Sequence, residues 1–305
     1  MAKYRTSVAA AVVVLMALTV PAGAFDPFER APERHDRFTA PAAAGAISLR
    51  PYRDLGSWID MFDKGPWEHP DRAIARAANR GVSTIYIQTA NYRSRRAIYR
   101  PRALAELIDA AHLAGLDVVS WYLPSFKNLK KDLKRSKAAI DFMTDTGGRF
   151  DSFAMDIEST EVDDIDRRNE RMLRLSRRVR NYVGGAYAMA AIVPEAGALY
   201  WPSFPYASVA NHYDLFMPMG YFTYRVRGRA AVRRYTRANI DAVRSGTGDA
   251  TFPVHAIGGI AGRSRSGEVR AYVKAVQGRG ALGGSLYDLP ITTKREWREL
   301  APLAR

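Results

Sequence analysis

Two acidic residues two positions apart, Asp156 and Glu158, end an apolar run that is predicted to form a β-strand. Because a strand points alternate side chains to opposite faces, the two carboxyl groups share one face with Ala154. Carboxylates are costly to bury, and a neighbouring carboxylate disfavours ionisation further. The pair therefore fits two interpretations: a solvated or salt-bridged strand end, or a general acid tuned by its neighbour.

The elements that would position this pair form a repeating pattern. Eight strand-like runs are predicted at Trp58–Phe62, Thr84–Thr89, Val118–Leu123, Phe153–Glu158, Tyr187–Val193, Leu215–Tyr221, Pro253–Ile257 and Ser285–Asp288. Amphipathic helices are predicted between them at Pro70–Arg80, Pro101–Ala114, 130–145, 163–183, 230–245, 267–278 and 292–301, with one short helix within 194–213. Repeated strand–helix units imply parallel strands, and eight units predict an α/β fold, a single (β/α)8 TIM barrel over residues 51–305.

In a TIM barrel the chemistry lies at the C-terminal ends of the strands. That rule selects Asp60, Asp63, Gln88, Asn91, Trp121, Tyr122, Asp156, Glu158, Glu195, Tyr221, Tyr224, His255, Tyr287 and Asp288. Asp63 also fits a helix cap. Carboxylates cleave glycosidic bonds and aromatic faces stack on sugar rings, so the set predicts carbohydrate chemistry, with Trp201 as a further stacking surface. Core packing is the alternative for Trp121 and Tyr122, and His255 fits a hydrogen-bonded core residue as well as a base.

Two segments resemble a known enzyme family. Asp151-Ser-Phe-Ala-Met-Asp156-Ile-Glu158 is similar to the fourth-strand signature DGxDxDxE of the chitinase-like family 18 glycoside hydrolases. Met219-Gly220-Tyr221 resembles the start of that family's sixth-strand MxYD. The resemblance implies that Glu158 protonates the glycosidic oxygen, that Asp156 orients an N-acetyl group acting as internal nucleophile, and that Tyr221 helps to hold this group.

The chain departs from that family pattern at Ala154, Phe222 and Tyr287, where the family has Asp, Asp and Trp. A bare DxE is also shared with lysozyme-like family 25 barrels, which cut cell-wall glycan. The remaining candidates are predicted to bind substrate: Asp60, Gln88, Trp121, Tyr122, Glu195, Tyr224, His255 and Asp288. The sequence thus predicts a glycoside hydrolase that acts on a polysaccharide or cell-wall glycan by carboxylate acid/base catalysis.

Two other functions fit the same sequence. The departures from the family pattern allow a barrel that binds glycan without cleaving it. Gly258-Gly259 and Gly283-Gly284 adjoin predicted strands seven and eight, in the region where barrels bind phosphate in the loops after these strands, so a phosphorylated ligand is a second alternative. Tight turns at the barrel rim would also require glycine at these positions.

The N-terminus resembles a secretory signal peptide. Lys3 and Arg5 precede an apolar stretch over residues 8–20, and Ala22-Gly23-Ala24 is a small-residue cleavage site. We therefore expect residues 1–24 to be removed and residues 25–50 to form a flexible leader, which predicts a secreted or cell-surface protein. An uncleaved anchor is the alternative, although the apolar stretch is short for a transmembrane helix. No later segment is predicted to span a membrane.

Composition narrows the chemistry further. The chain has no cysteine, which excludes thiol catalysis, and its five histidines lack paired metal-ligand spacing, so no metal and no cofactor are predicted. The formal net charge is +15, with basic runs at Lys127–Lys137 and Arg167–Arg180. These runs fit solvated faces of amphipathic helices or attraction to an anionic cell envelope. Nucleic acid is not a predicted partner, because no binding motif is present.

Overall fold

A computed structural model describes residues 47–304 of the chain. The predicted signal peptide, and the predicted leader up to residue 46, lie outside the described residues. Among residues 47–304, no helix is both long and apolar enough to cross a membrane.

Eight parallel strands form one sheet in the order β6-β5-β4-β3-β2-β1-β8-β7. Their bounds are β1 Asp54–Ile59, β2 Thr84–Asn91, β3 Asp117–Leu123, β4 Ser152–Asp156, β5 Met189–Val193, β6 Leu215–Pro218, β7 His255–Ile260 and β8 Gly283–Tyr287. Parallel bridges from Phe216 to Val254 and from Met219 to Ile257 join β6 to β7 and complete the ring. The predicted (β/α)8 barrel is confirmed.

Ten α-helices accompany the strands in the described part of the chain. They are α1 Lys64–Glu68, α2 Pro70–Ala78, α3 Pro101–Leu113, α4 Leu129–Ile140, α5 Ile165–Val183, α6 Tyr206–Ala210, α7 Phe222–Arg225, α8 Arg229–Thr247, α9 Glu268–Gly278 and α10 Lys294–Leu300. The predicted long helices are present, and α6 is the short helix expected within 194–213. The sequence did not predict α1 and α7, because each is too short to show helical periodicity.

The first strand lies earlier in the chain than predicted. It pairs with β8 from Asp54 to Ser57 and with β2 from Gly56 to Ile59, so hydrogen bonding to two neighbours sets its bounds. It ends where Asp60 begins a tight turn, in which the Phe62 N–H donates to Asp60 Oδ1 at 2.6 Å. Asp60 therefore lies at the rim of the barrel and not within the strand.

Two cores surround the strands. Inside the ring, Trp58 stacks on Tyr86 with ring centroids 4.4 Å apart and meets Trp121 edge-on at 5.9 Å. Outside it, the opposite strand faces pack leucine, isoleucine and valine side chains against the helices. Each such side chain, when fully buried, stabilises the fold by about 1.5–3 kcal/mol. Because side chains fill the interior of the barrel, a ligand cannot bind there, and a functional site is expected at the C-terminal end of the strands.

Candidate active site

The carboxylate pair lies at the C-terminal end of β4. The strand ends at Asp156, and the Ile157 N–H still donates to the Ile192 carbonyl of β5 at 2.8 Å, which keeps the backbone extended toward Glu158. Asp156 is only 5% exposed, and its Oδ1 has no hydrogen-bond donor within the described chain. Glu158 is partly buried. The predicted location of both acids at the mouth of the barrel therefore agrees with the structure.

Burial controls the ionisation of both acids. It raises the pKa of Glu158 to about 7, so this carboxyl group is protonated over much of the range in which an ordinary glutamic acid is ionised. Burial, together with the nearby Glu158 carboxylate, raises the pKa of Asp156 well above its usual value. A protonated Glu158 beside a second carboxyl group is suited to donate a proton to a leaving oxygen.

Two tyrosines, Tyr221 and Tyr200, stand beside the pair, and a third, Tyr287, stands beside Tyr221. Tyr221 follows β6, and its ring centroid is 6.4 Å from that of Tyr287 at the end of β8. Tyr200, in the loop after β5, lies close enough to the pair that burial and the charges of Glu158 and Asp156 raise the pKa of its hydroxyl group. In the sequence, Tyr200 belongs to the aromatic segment 194–213, which also contains Trp201, Phe204 and Tyr206, and no specific role is assigned to it.

A second acidic group lies at the same mouth. Asp60, Asp63 and Asp288 each offer a carboxylate oxygen, and these oxygens all lie within 4.8 Å of one another. The Tyr287 hydroxyl group donates to Asp60 Oδ2 at 2.7 Å. Burial, Asp288 and Asp60 raise the pKa of Asp63 to about 9, and burial and Asp60 raise that of Asp288 to about 7. The rule of strand ends selects Asp63 as well, and the alternative of a helix cap is only partly met, because Asp63 precedes α1 without a side-chain hydrogen bond to it.

Gln88 and Trp121 form part of the floor of the mouth. Gln88 is buried, and its Oε1 accepts a hydrogen bond from the Met61 N–H at 3.2 Å. Trp121 is 4% exposed, and its indole N–H has no acceptor within the described chain. Trp121 therefore presents an unused donor and not an open stacking face.

The structure does not bring two of the predicted binding residues to this mouth. Tyr122 points to the outer core, where its hydroxyl group donates to Asp132 Oδ1 at 2.7 Å. His255 begins β7 and is fully buried inside the barrel. Its Nδ1 lies 2.9 Å from the Tyr52 carbonyl and its Nε2 lies 3.1 Å from Ser285 Oγ. Burial lowers its pKa to about 4, so it is a neutral core residue.

Other predicted residues reach the mouth but have different environments. Glu195 accepts a hydrogen bond from the Tyr235 hydroxyl group on one oxygen and pairs with Arg225 on the other, so both oxygens are occupied. Tyr224 is 49% exposed, with the Arg263 guanidinium 5.4 Å from its ring centroid. Trp201 is buried, which removes the predicted stacking surface.

Large exposed apolar side chains border the same end of the barrel. They are Phe62 after β1, Leu199 and Tyr200 after β5, Tyr224 in α7 and Ile291 after β8. Aromatic faces exposed beside buried carboxyl groups are typical of carbohydrate sites. The sequence pattern did not reveal Phe62, Leu199 or Ile291, because single apolar residues in loops carry no periodicity.

The glycines proposed for phosphate binding lie within strands and not in the following loops. Gly258 and Gly259 belong to β7, and Gly283 and Gly284 belong to β8. A Cβ atom would lie 2.4 Å from the Thr223 side chain at Gly259 and 2.2 Å from the Asp54 carbonyl oxygen at Gly283. Close packing therefore explains these glycines.

The fold is shared with solved glycoside hydrolases. An endo-β-1,4-mannanase from Thermotoga petrophila superposes with a TM-score of 0.63 at 11% identity, covering 84% of this chain and 77% of the other. A chitinase from Bacteroides thetaiotaomicron gives 0.60 at 12% identity, covering 83% and 95%. The Bacillus cereus spore cortex-lytic enzyme SleL gives 0.59 at 10% identity, covering 85% and 76%.

No family model matches the chain, and no curated protein matches it. At these identities the likeness establishes the fold, which is that of glycoside hydrolase barrels, while the function has to be argued from the site.

Proposed function

We propose that this protein is an exported glycoside hydrolase that cleaves a polysaccharide or cell-wall glycan, with Glu158 as the general acid. The observation that carries the proposal is the Asp156–Glu158 pair at the mouth of the barrel. One carboxyl group there keeps its proton near neutral pH, and its neighbour has an oxygen that accepts no hydrogen bond from residues 47–304. An acid of this kind can protonate a glycosidic oxygen as the bond breaks.

Asp156 has the complementary role in the proposal. Its Oδ1, which has no donor in the described part of the chain, would accept a polar hydrogen from the sugar, such as the N–H of an N-acetyl group, or stabilise the positive charge that develops on the ring. Tyr221, next to Tyr287, would hold the same sugar. Tyr200 and Tyr224 are exposed enough to contact neighbouring sugar rings.

Export and the class of substrate are further parts of the proposal. The signal-like residues 1–24 support an extracytoplasmic site of action, where cell-wall glycan is accessible. The barrel is similar in fold to a mannanase, a chitinase and a spore cortex-lytic enzyme, which suggests three substrate classes to compare.

The test is hydrolysis of purified glycans by the chain from Phe25 onward. Chitin oligosaccharides, β-mannan and peptidoglycan would be incubated with the wild-type protein, and new reducing ends and binding would both be quantified. Glu158→Gln is expected to lower the rate about 10²–10⁴-fold while binding is retained. Glu161→Gln, three residues further along the same loop, is the matched control, because its carboxylate already pairs with Lys127 and Arg93.

Two results would contradict the proposal. Hydrolysis that survives unchanged in Glu158→Gln would remove the assigned acid. Binding without cleavage by the wild-type protein, on every glycan, would favour the non-catalytic glycan-binding function instead.

A further inference from the structure

Asp60, Asp63 and Asp288 come from opposite ends of the chain and meet because β1 and β8 are neighbours. Asp54 to Ser57 of β1 pair in register with Gly283 to Leu286 of β8. The loops that follow these strands therefore begin side by side. The carboxylate oxygens of the three aspartates lie within 4.8 Å of one another.

The donors around this group are few and neutral. The Phe62 N–H and the Tyr287 hydroxyl group each donate to Asp60, at 2.6 and 2.7 Å. The Asp60 N–H donates to Asp63 Oδ2 at 2.8 Å. Within residues 47–304, no ion pair joins any of the three aspartates to Lys, Arg or His.

A second observation points to a ligand. Asp288 is 6% exposed, and its Oδ1 has no hydrogen-bond partner within the described chain. A buried carboxylate oxygen without a partner is expensive, and structures retain one where a ligand or ion completes it. The Asp288 carboxylate is also one of the three that converge.

We propose that Asp60, Asp63 and Asp288 bind a divalent cation that prefers oxygen ligands, with Ca²⁺ as the best fit. The site offers carboxylate oxygens and no nitrogen or sulfur, which favours hard cations over zinc. Oxygens on opposite sides of Ca²⁺ are about 4.6–5.2 Å apart, whereas those around Mg²⁺ are at most about 4.2 Å apart. The limit of 4.8 Å on the oxygen separations admits Ca²⁺. Three carboxylates in one site suit Ca²⁺ better than Mg²⁺, which proteins usually bind through one or two carboxylates together with phosphate groups and water.

Such an ion would tie together the loops after β1 and β8. Because Tyr287 donates to Asp60, the ion would also hold Tyr287 in place beside Tyr221. The cation is thus assigned a positioning role. Binding of this ion can be tested without any glycan, so the result is independent of the proposed hydrolysis.

Terbium luminescence provides the direct measurement. Tb³⁺ replaces Ca²⁺ at oxygen sites and emits when a nearby tryptophan is excited. The Trp67 indole N–H donates to the Asp60 carbonyl at 2.6 Å, so this ring lies next to the proposed ion. The chain from Phe25 onward would be titrated with Tb³⁺ and then with Ca²⁺, and its thermal midpoint would be recorded with and without about 1 mM Ca²⁺, Mg²⁺ or Mn²⁺.

The expected result is saturable emission that Ca²⁺ displaces, together with a thermal midpoint that Ca²⁺ raises. Asp288→Asn and Asp63→Asn should each weaken binding at least about tenfold. Asp241→Asn, an exposed change in α8 where the side chain pairs with Arg279, should leave binding unchanged.

The proposal fails if the wild-type protein shows neither sensitised emission nor a midpoint shift with any of the three cations, a result that does not depend on whether the variants fold. It also fails if Asp288→Asn binds Tb³⁺ as well as the wild type does.

Discussion

Buried acids occur in two regions of this barrel, and the two regions differ in the hydrogen-bond donors that they provide to these acids. In the helical layer, Glu296 of α10 accepts hydrogen bonds from the Gly262 N–H, the Ser264 hydroxyl group and the Thr293 N–H and hydroxyl groups. At the barrel mouth, Asp156 has an oxygen with no donor in the described chain. Both side chains are buried, but within the described residues both oxygens of Glu296 accept hydrogen bonds whereas Oδ1 of Asp156 accepts none.

This difference in hydrogen bonding distinguishes acids that stabilise the fold from acids that are available to react with a substrate. Burial raises the pKa of Glu296, but the hydrogen bonds from Ser264, Thr293 and Gly262 outweigh this effect and bring it below its ordinary value. Nothing comparable lowers the pKa of Asp156 or Glu158. A fold that leaves such groups without partners is less stable than it could be, which is expected at functional sites.

The largest effect on stability should come from the helical layer. Glu296→Gln replaces an acceptor oxygen by an NH₂ group that faces backbone and hydroxyl donors. We expect the free energy of unfolding to fall by about 3 kcal/mol, measured by urea denaturation. Glu170→Gln, at an exposed ion pair with Arg174, is the control and should be close to neutral. If Glu296→Gln and Glu170→Gln had equal stability, the hydrogen-bonded acid in the helical layer would not be a stabilising one.

The pH dependence of hydrolysis sharpens the comparison at the mouth. Glu158 acts as an acid only while protonated, and its pKa is raised to about 7, so kcat/KM should fall about tenfold per pH unit above that value. The profile should be the same in Glu161→Gln. A fall that begins near pH 4.5 would mean that Glu158 is solvated like an ordinary glutamic acid.

The same shift affects stability with a defined sign. A carboxyl group whose pKa is raised on folding stabilises the native state below its unfolded pKa, and this contribution is lost as pH rises toward about 7. The wild-type protein should therefore lose stability between about pH 4.5 and 7 relative to Glu158→Gln. Thermal midpoints of both proteins across that range measure the difference.

A smaller effect of opposite sign to that of Glu296→Gln is expected from Asp156→Asn. Burial and Glu158 raise the pKa of Asp156, so this carboxyl group costs the native state stability as pH rises, and an amide does not titrate. At pH 8 the free energy of unfolding should therefore rise by about 1 kcal/mol. At acidic pH, where Asp156 is protonated, the gain should disappear. Destabilisation at pH 8 would show that Asp156 has a structural partner in solution.

The smallest effect should come from an acid that is half solvated. Glu161 accepts a hydrogen bond from the Tyr92 hydroxyl group and pairs with Lys127 and Arg93 at 3.3 and 3.6 Å. Glu161→Gln should cost about 0.5 kcal/mol at low ionic strength and less in about 1 M salt, where exposed pairs are screened. A salt-independent cost above about 2 kcal/mol would place Glu161 among the structural acids instead.

Much of the barrel could be predicted because the alternation of strands and helices is visible in short stretches of the sequence. All eight strands were expected, and the acids at the end of β4 were placed at the mouth by residue spacing alone. Bounds were less predictable where pairing with neighbours decided them, as for β1. Short loop helices such as α1 were missed for lack of a periodic pattern.

In the site, too, some features follow from the local sequence and others depend on how the strands pack. Tyr122 and Trp121 are adjacent in sequence, yet one faces the outer core and the other the barrel interior, a consequence of strand alternation that the rule of strand ends does not resolve. His255 falls at the start of β7 because that strand extends later than its apolar run suggested. Whether a residue reaches the mouth of the barrel therefore depends more on the face of the strand that it occupies than on its distance from the strand end.

The sequence by itself determined the repeating elements, and with them the fold class and the position of Asp156 and Glu158, because alternation and hydrophobic periodicity are local properties of the chain. Only the tertiary structure decided which acids have hydrogen-bond donors among the described residues and which acids converge. Asp60 and Asp288 are separated by most of the chain, and they meet because ring closure places β1 beside β8. Hydrogen-bond partners and converging side chains depend on which residues are neighbours in space, and the order of residues along the chain does not show this.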